Sequence, residues 1–580
     1  MSGFVCLVGP EVDDGVVRRM LETAPHRGDV RGTWCGDGIA LGVQGRIGEH
    51  PFVSAGFHCD RDLAAVGTGA LYRGTSVVTG DAALLAMAEA HRAGRLEALA
   101  GSFAAVVVER RTGRIVAVRS PVGERPLFWR REGGSVAFGS EAKQLAAWSS
   151  TPPPVDEGAV LDLVVQRFER PERTKWVGIR RLLPGTSLEV GDAAVERRFW
   201  RPGDGAVRHS VSIGDAVREF RRLLRQAVAR RLGPGTAVLM SGGLDSTSIV
   251  AEAAPLGLER YGVLLRVVSA AYPDHPAVDE SGAIEAAVEA LGCEVVWVRP
   301  RPRPFGDIAR RAWLHDGPDM AALSSNLELI LAGARQAGIS ACLDGHDGDT
   351  VLGLSAGAVG ALLRRARWGT AVRRVGFMRR RLGIGGATAI RRVLVPGIVD
   401  AVPGARRTLS RLRRPPDPWP SWVVERLRSR DGAAPDWYRL QADAVEGALV
   451  LAIENLERTA ACSGVDLLHP YCDPDLVDFL LRLPPEVKFA AGATKALIRR
   501  GYPELPPEVR ARADKTLFND VALAGASRDE ILAELGAAPK RLPGIDWPGL
   551  EGSLRRTDMA FGERALLARA LSADRFLESA

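Results

Sequence analysis

The stretch that most limits how this chain can fold is the apolar run TAVLM at 236–240, followed at once by Ser241-Gly242-Gly243-Leu244-Asp245-Ser246-Thr247 and an amphipathic helix. Two adjacent glycines let the backbone come close to an oxyanion, while successive N–H groups and a helix N-terminus supply positive potential for phosphate. Ser246 and Thr247 can add hydroxyl donors or cap the helix, which is expected to start at Ser246. The same rhythm continues with YGVLLRV (261–267), a helix over 279–290, CEVVWV (293–298), a helix near 321–337 and SACLDG (340–345). Short apolar strands alternating with helices predict a doubly wound parallel sheet with its ligand at the strand carboxyl ends.

Residues 1–205 follow a different pattern. FVCLVG, GIALGV, FAAVVVERRTGRIVAVRS with a turn at Thr112-Gly113, and SVAFGS are β-rich runs, interrupted by one helix from Asp81, as N-cap, to Gly94. That pattern is α+β and layered, not a βαβ repeat. The polar segment RPGDGAVRHS (201–210) marks a boundary, giving domains 1–205 and 206–580.

Charge is concentrated in one place. The formal net charge is +7, yet residues 361–416 hold fifteen Arg, no Lys and a single acid, Asp400, a local excess of fourteen. The rest of the chain is therefore acidic by seven, and a basic helical insert lies within about 354–440. Only six of the 77 basic residues are Lys, at 143, 175, 488, 495, 515 and 540. Against so much Arg, a retained Lys suggests a position that needs an ammonium. Seven scattered Cys without a CxxC pair argue against disulfides or zinc. With no apolar run long enough to span a bilayer, a cytoplasmic protein with no membrane partner is expected.

The Ser241–Thr247 loop resembles that of the PP-loop ATP pyrophosphatases, which split ATP into AMP and pyrophosphate and activate a carboxyl or carbonyl oxygen as its adenylate. The GxxxxGK[ST] pattern of kinases is absent. The sequence Asp344-Gly345-His346-Asp347-Gly348-Asp349 is similar to the SGxGxDE loop of asparagine synthetases, with His346 and Thr350 replacing its two Glu. HPYCD (469–473), LPPEVKF, TKALIR and LPPEVRARADKTLF resemble the PFLD…LP…K…K..LR…LP…R.K..F series of the same family. The resemblance implies ATP and Mg²⁺ as cofactors, with Leu239, Ser241, Gly242, Gly243, Asp245, Ser246, Gly345 and Lys495 on the nucleotide. It also implies Asp245 and Asp349 as metal ligands, and Lys515 as the catalytic lysine that neutralises developing phosphate charge.

The first 200 residues resemble the family's N-terminal glutaminase domain through His26-Arg27-Gly28, Leu71-Tyr72, Gly80-Asp81, Pro126-Leu127-Phe128, the run Phe138–Lys143, Leu183-Pro184-Gly185 and Phe199-Trp200. The implied architecture is an α+β N-terminal Ntn-glutaminase-like β-sandwich, followed by an α/β PP-loop synthetase domain (adenine nucleotide alpha hydrolase-like) with a helical C-terminal part. The glutaminase chemistry is missing. Ser2 stands where that domain needs a Cys, Thr68 where it needs an oxyanion-stabilising Asn, and Gly45 falls near the position of its glutamine-holding Arg. A serine hydroxyl is a far poorer nucleophile than a thiol at neutral pH.

An adenylate without ammonia must meet another amine. Relatives with the same defect are the β-lactam synthetases and the lasso-peptide macrolactam cyclases, and the long Arg-rich insert, followed by Trp419, Trp422 and Trp437, is similar to the cyclases. A histidine at 346 suits a general base near neutral pH; an ordinary loop histidine is the alternative. The resemblance implies a precursor (core) peptide substrate, with a leader peptidase and a leader-recognition protein as partners. The rival readings are a small-molecule amide ligase of the β-lactam or asparagine synthetase kind, and a PP-loop RNA-modifying enzyme. The absence of any RNA-binding module disfavours nucleic acid, and the Arg run can equally be a solvated face.

Overall fold

The computed structural model describes the chain except for residues 206–210, 320–323, 354–356, 403–422, 424–436, 513–525 and 557–560 and the single positions 1, 11, 49, 277, 304 and 580. Its N-terminal part is a pair of antiparallel sheets. One runs in the order Ile179–Arg181, Phe128–Glu132, Ser135–Gly139, Gly3–Val8, Ile39–Gly45, Val30–Gly36. The other runs Ala194–Arg198, Thr186–Val190, Arg114–Arg119, Gly101–Glu109, Leu63–Arg73, Ala55–Cys59, with Ser76–Thr79 paired to Leu63–Arg73. Side chains alternate across each strand. Thus Phe4 and Cys6 enter the core between the sheets with Leu41, Val66 and Val106. Val5 and Leu7 point the other way, onto Val17, Met20 and Leu21 of the helix Asp14–Glu22. The second sheet turns Ala65, Phe103 and Val107 onto Leu84 and Met87 of the helix Gly80–Arg92. The result is four layers, helix, sheet, sheet, helix.

Two expectations for this region change. The helix Asp14–Glu22 is additional; four of its nine residues are charged, and its apolar face is only Val17, Met20 and Leu21, a run too short to stand out in the sequence. Asp81 lies in the first turn of its helix and Thr79 is the N-cap, whereas Gly94, at φ +62°, does close it.

The second part is built on five parallel strands in the order Glu294–Val298, Arg266–Ala270, Ala237–Leu239, Ala341–Leu343, Asp466–Leu468. In chain order this reads 3-2-1-4-5, so the direction of winding reverses between Ala237–Leu239 and Ala341–Leu343. Ligands in such sheets bind in the crevice beyond the carboxyl ends at that reversal, where the Gly-Gly loop and the Asp344–Asp349 loop both emerge. The strand expected over 261–267 instead occupies Arg266–Ala270, because the preceding helix extends over Leu244–Tyr261 and is closed by Gly262 at φ +65°. That helix begins at Leu244, two residues before the expected start. The fifth strand, Asp466–Leu468, was not apparent in the sequence, because three residues carry no readable period.

The insert contributes the helices Ala358–Arg364, Trp368–Arg381 and Val395–Ala401, and Val423 forms an isolated antiparallel bridge with Ile545. Trp419 and Trp422 lie outside the described residues. Trp437 is wholly buried against Tyr438 and Phe489, so it forms core and not a substrate-facing surface. The helix Phe561–Ser579 returns to the N-terminal part, placing Leu567, Leu571 and Phe576 in the cluster that holds Val5 and Trp176. No helix among the described residues is long and apolar enough to cross a membrane.

Candidate active site

The crevice at the winding reversal opens into a cavity of about 470 Å³. Leu239, Ser241, Gly242, Gly243, Asp245 and Ser246 line one side, and Gly345, His346 and Asp349 another, with Lys495 between them. All the expected nucleotide and metal residues therefore converge. Lys515 lies outside the described residues, three positions after Arg512, which also lines the cavity.

The loop geometry follows from its side chains. Gly242 adopts φ +70°, a conformation that L side chains disfavour. Ser246 Oγ accepts from the Ser241 N–H at 3.2 Å and donates to Gly243 O at 3.2 Å, while Thr247 Oγ1 donates to Gly243 O at 2.7 Å. These bonds fold the turn tightly over the helix N-terminus. Gly345 is required by proximity, since a Cβ there would sit 2.7 Å from the Ser246 nitrogen.

Asp245 and Asp349 share one cation. Lys495 Nζ is bonded to Asp245 Oδ2 and lies 2.9 Å from Asp349 Oδ1. Burial alone would push that ammonium down, but the two carboxylates hold it above the usual lysine value. Two carboxylates facing one cation are the hard oxygen donors that Mg²⁺ takes, with phosphate oxygens and water completing its shell. Among the described residues there is no group of three or more His, Cys, Asp or Glu that could hold a metal ion. Lys495 itself, at φ +55°, precedes the helix Ala496–Gly501.

His346 is 40% exposed at the cavity, its Nε2 3.5 Å from Asp347 Oδ1. Asp347 is buried, takes φ +71°, and its carboxyl is raised by that burial. Beneath it, His469 Nδ1 lies 2.7 Å from Asp344 Oδ1. Burial opposes charge on His469, and Asp344 outweighs it. Asp344, Asp347 and His469 fall within the motifs of the two loops, but those motifs do not assign them these contacts. Nothing in the sequence marks Glu280, which pairs with Arg512 at 2.6 Å on the cavity wall, or Arg381.

In the N-terminal half, Ser2 is 1% exposed. Its Oγ is bonded to Val53 O and stands 3.4 Å from Thr68 Oγ1, which donates to the same carbonyl at 2.9 Å. Arg46, beside Gly45, directs its guanidinium to His26 O and Ala461 O. Serine and threonine hydroxyls thus satisfy one backbone carbonyl where a nucleophile and an oxyanion donor would be needed. Ser2→Ala is expected to leave ATP-dependent product formation unchanged, and glutamine should yield no glutamate with either protein; glutamate release that disappears in Ser2→Ala would reverse this.

Fold and site together define a two-part chain, an antiparallel two-sheet sandwich joined to a doubly wound α/β domain with a glycine-loop crevice. A glutamine amidotransferase domain model matches residues 75–200 and the asparagine synthase model matches 219–541, more than half of the chain, so the protein belongs to the asparagine synthase family. It is 32% identical over 160 residues to asparagine synthetase [glutamine-hydrolyzing] 3 of Bacillus subtilis, covering 27% of this chain and 26% of that one. It is also 32% identical over 159 residues to carboxyethyl-arginine beta-lactam-synthase of Streptomyces clavuligerus, covering 26% and 28%. The chain thus aligns with about a quarter of the length of these relatives. Among solved structures, the glutamine phosphoribosylpyrophosphate amidotransferase of B. subtilis overlaps at TM-score 0.24 and 14% identity, over 53% of this chain and 67% of that one, too little to carry an argument.

Proposed function

We propose that this chain is an ATP-dependent, AMP-forming carbon–nitrogen ligase that closes a macrolactam within a ribosomally made lasso-peptide precursor. The observation that carries the reading is the pairing of His346, in the cavity of the pyrophosphate-type loop, with an N-terminal half that has Ser2 and Thr68 in place of hydrolytic groups. An Asp or Glu side-chain carboxylate of the core peptide attacks the α-phosphate of ATP, and pyrophosphate leaves toward the Gly242 and Gly243 N–H groups and Lys495. Asp245 and Asp349 would hold Mg²⁺, which supplies charge neutralisation on the phosphates. The peptide's N-terminal amine then attacks the acyl carbon, His346 takes the amine proton, and AMP departs. Holding both ends of one peptide together turns a bimolecular step into an intramolecular one. A leader peptidase and a leader-recognition protein would deliver that peptide.

Incubation with ATP, Mg²⁺ and leader-free core peptide is expected to give a product lighter by one water, with AMP. Turnover to ADP, or asparagine formed from aspartate and ammonia, would overturn the proposal. His346→Ala should keep peptide-dependent pyrophosphate exchange and lose about 10²-fold or more in ring closure, the usual contribution of a positioned base; equal loss in both steps would remove His346 from that role. The S. clavuligerus relative favours a second reading, closure of a small-molecule lactam. Conversion of a carboxylated amino acid, with core peptide untouched, would establish it.

A further inference from the structure

We propose that Arg381, carried into the cavity by the Arg-rich insert, binds the β- and γ-phosphates of the nucleotide. The inference rests on the nucleotide reading of this cavity and adds a residue from outside the parallel sheet. The helix Trp368–Arg381 ends at the cavity wall, where Arg381 stands with Lys495, Arg499 and Arg512. Three of these four cations have work within the protein. Lys495 bridges Asp245 and Asp349, and Arg512 pairs with Glu280. Arg499 donates to Thr494 O at 2.8 Å, to Arg510 O, and to Arg512 O at 2.5 Å, which braces the strand of chain that leads toward Lys515. Arg381 has no hydrogen bond or ion pair with a described residue, and it is half-buried.

The helix that delivers it is anchored beside the lysine loop. A Cβ on Gly492 would fall 2.4 Å from the Arg373 carbonyl carbon, so the two backbones touch, and only glycine permits this approach at φ +81°. Arg374, 1% exposed, donates to Gly492 O at 3.3 Å and lies 4.6 Å over the Phe489 ring. Phe377 packs beneath Arg499, 5.8 Å from the guanidinium. Arg381 is therefore held on the same scaffold as Thr494 and Lys495. Burial and then the charge of Arg381 push Arg499 down. A triphosphate carrying Mg²⁺ keeps more negative charge than one ammonium can neutralise, and a guanidinium fork matches phosphate oxygens in pairs.

Calorimetric binding of Mg–ATP, Mg–pyrophosphate and AMP to the full chain tests this. Arg381→Ala should weaken Mg–ATP and Mg–pyrophosphate by about tenfold or more, the loss expected for a charge-assisted contact, and leave AMP binding unchanged. Arg381→Lys should recover part of the loss, and Arg379→Ala with Arg380→Ala, exposed on the same helix, should bind like the unaltered chain. Wild-type affinity in Arg381→Ala would overturn the inference. So would an equal loss from the Arg379/Arg380 pair, which indicates a diffuse field, or a parallel loss of AMP. An effect confined to the acyl substrate would assign Arg381 to a carboxylate and also overturn it. An unaltered chain that binds neither Mg–ATP nor Mg–pyrophosphate would overturn the nucleotide site itself, and this inference with it.

Discussion

Asp245→Asn is expected to lower AMP formation by about 10²–10³-fold, the scale of removing a preorganised charge from a reacting site, without moving the thermal unfolding transition. The carboxylate is the point at which loop, lysine and metal meet. It holds Lys495, shares that cation with Asp349, and sits in the first turn of the helix that would receive pyrophosphate. The amide keeps the shape but leaves Asp349, half exposed, as the sole carboxylate on the cation. The fold does not depend on this pair, because Asp245 and Lys495 keep 14% and 17% of their side-chain surface and the strands beneath are held by apolar packing. Gly345→Ala should reach a similar loss by another route. Its Cβ meets the Ser246 backbone at 2.7 and 3.0 Å, atoms that cannot swing aside, so the two loops must separate. Following AMP release together with calorimetric unfolding checks both. Wild-type turnover in Asp245→Asn would place the chemistry elsewhere.

What the sequence disclosed follows from how local the signals are. Ser241–Ser246, Gly345 and Asp349 could be brought to one crevice from the sequence because tight glycine turns restrict residue type at consecutive positions, and because the short strands preceding them fix where they emerge. Lys495 was legible through the scarcity of lysine as much as through its motif. Glu280 and Arg381 were not, since one joins the cavity through a salt bridge with a residue 232 positions later and the other was one Arg among fifteen. Trp437 follows the basic segment in the sequence, and its enclosure by Phe489 and Tyr438 is a tertiary contact that composition does not reveal. The layered α+β character of residues 1–205 was legible from their β-rich runs and one helix, and the sandwich from the family resemblance; the short helix Asp14–Glu22 and the three-residue strand Asp466–Leu468 depend on tertiary packing that no local window contains.

Glu454→Ala is expected to cost about 3–5 kcal/mol, the range for stranding buried charges. The helix Ala448–Ser463 presents Glu454 and Glu457 to arginines of the N-terminal sandwich. Glu454 accepts from Arg181 at 2.6 and 2.9 Å, with Arg119 at 3.6 Å, and Glu457 accepts from Arg27 at 3.2 Å and Arg125 at 3.1 Å. None of these six side chains is more than 1% exposed. Truncation would leave Arg181 and Arg119 in a dry interface without their carboxylate, a penalty water cannot relieve. Burial alone would raise the Glu454 carboxyl, but Arg181 and then Arg119 outweigh it and bring it to about 2, from an ordinary 4.5. Because the folded value is the lower one, the unfolded chain binds the proton more readily. The stabilisation is complete above about pH 4.5 and drains away as pH falls toward 2, a shift worth about 3 kcal/mol. Unfolding measured by denaturant at several pH values should therefore show an acid-side loss in the native chain that Glu454→Gln flattens. Glu454→Gln, which keeps one acceptor oxygen for Arg181, should lose less than Glu454→Ala at neutral pH. Equal stability of all three proteins at pH 7 would mean that the two halves are held by their apolar contacts alone, with the arginines resolvated across the interface.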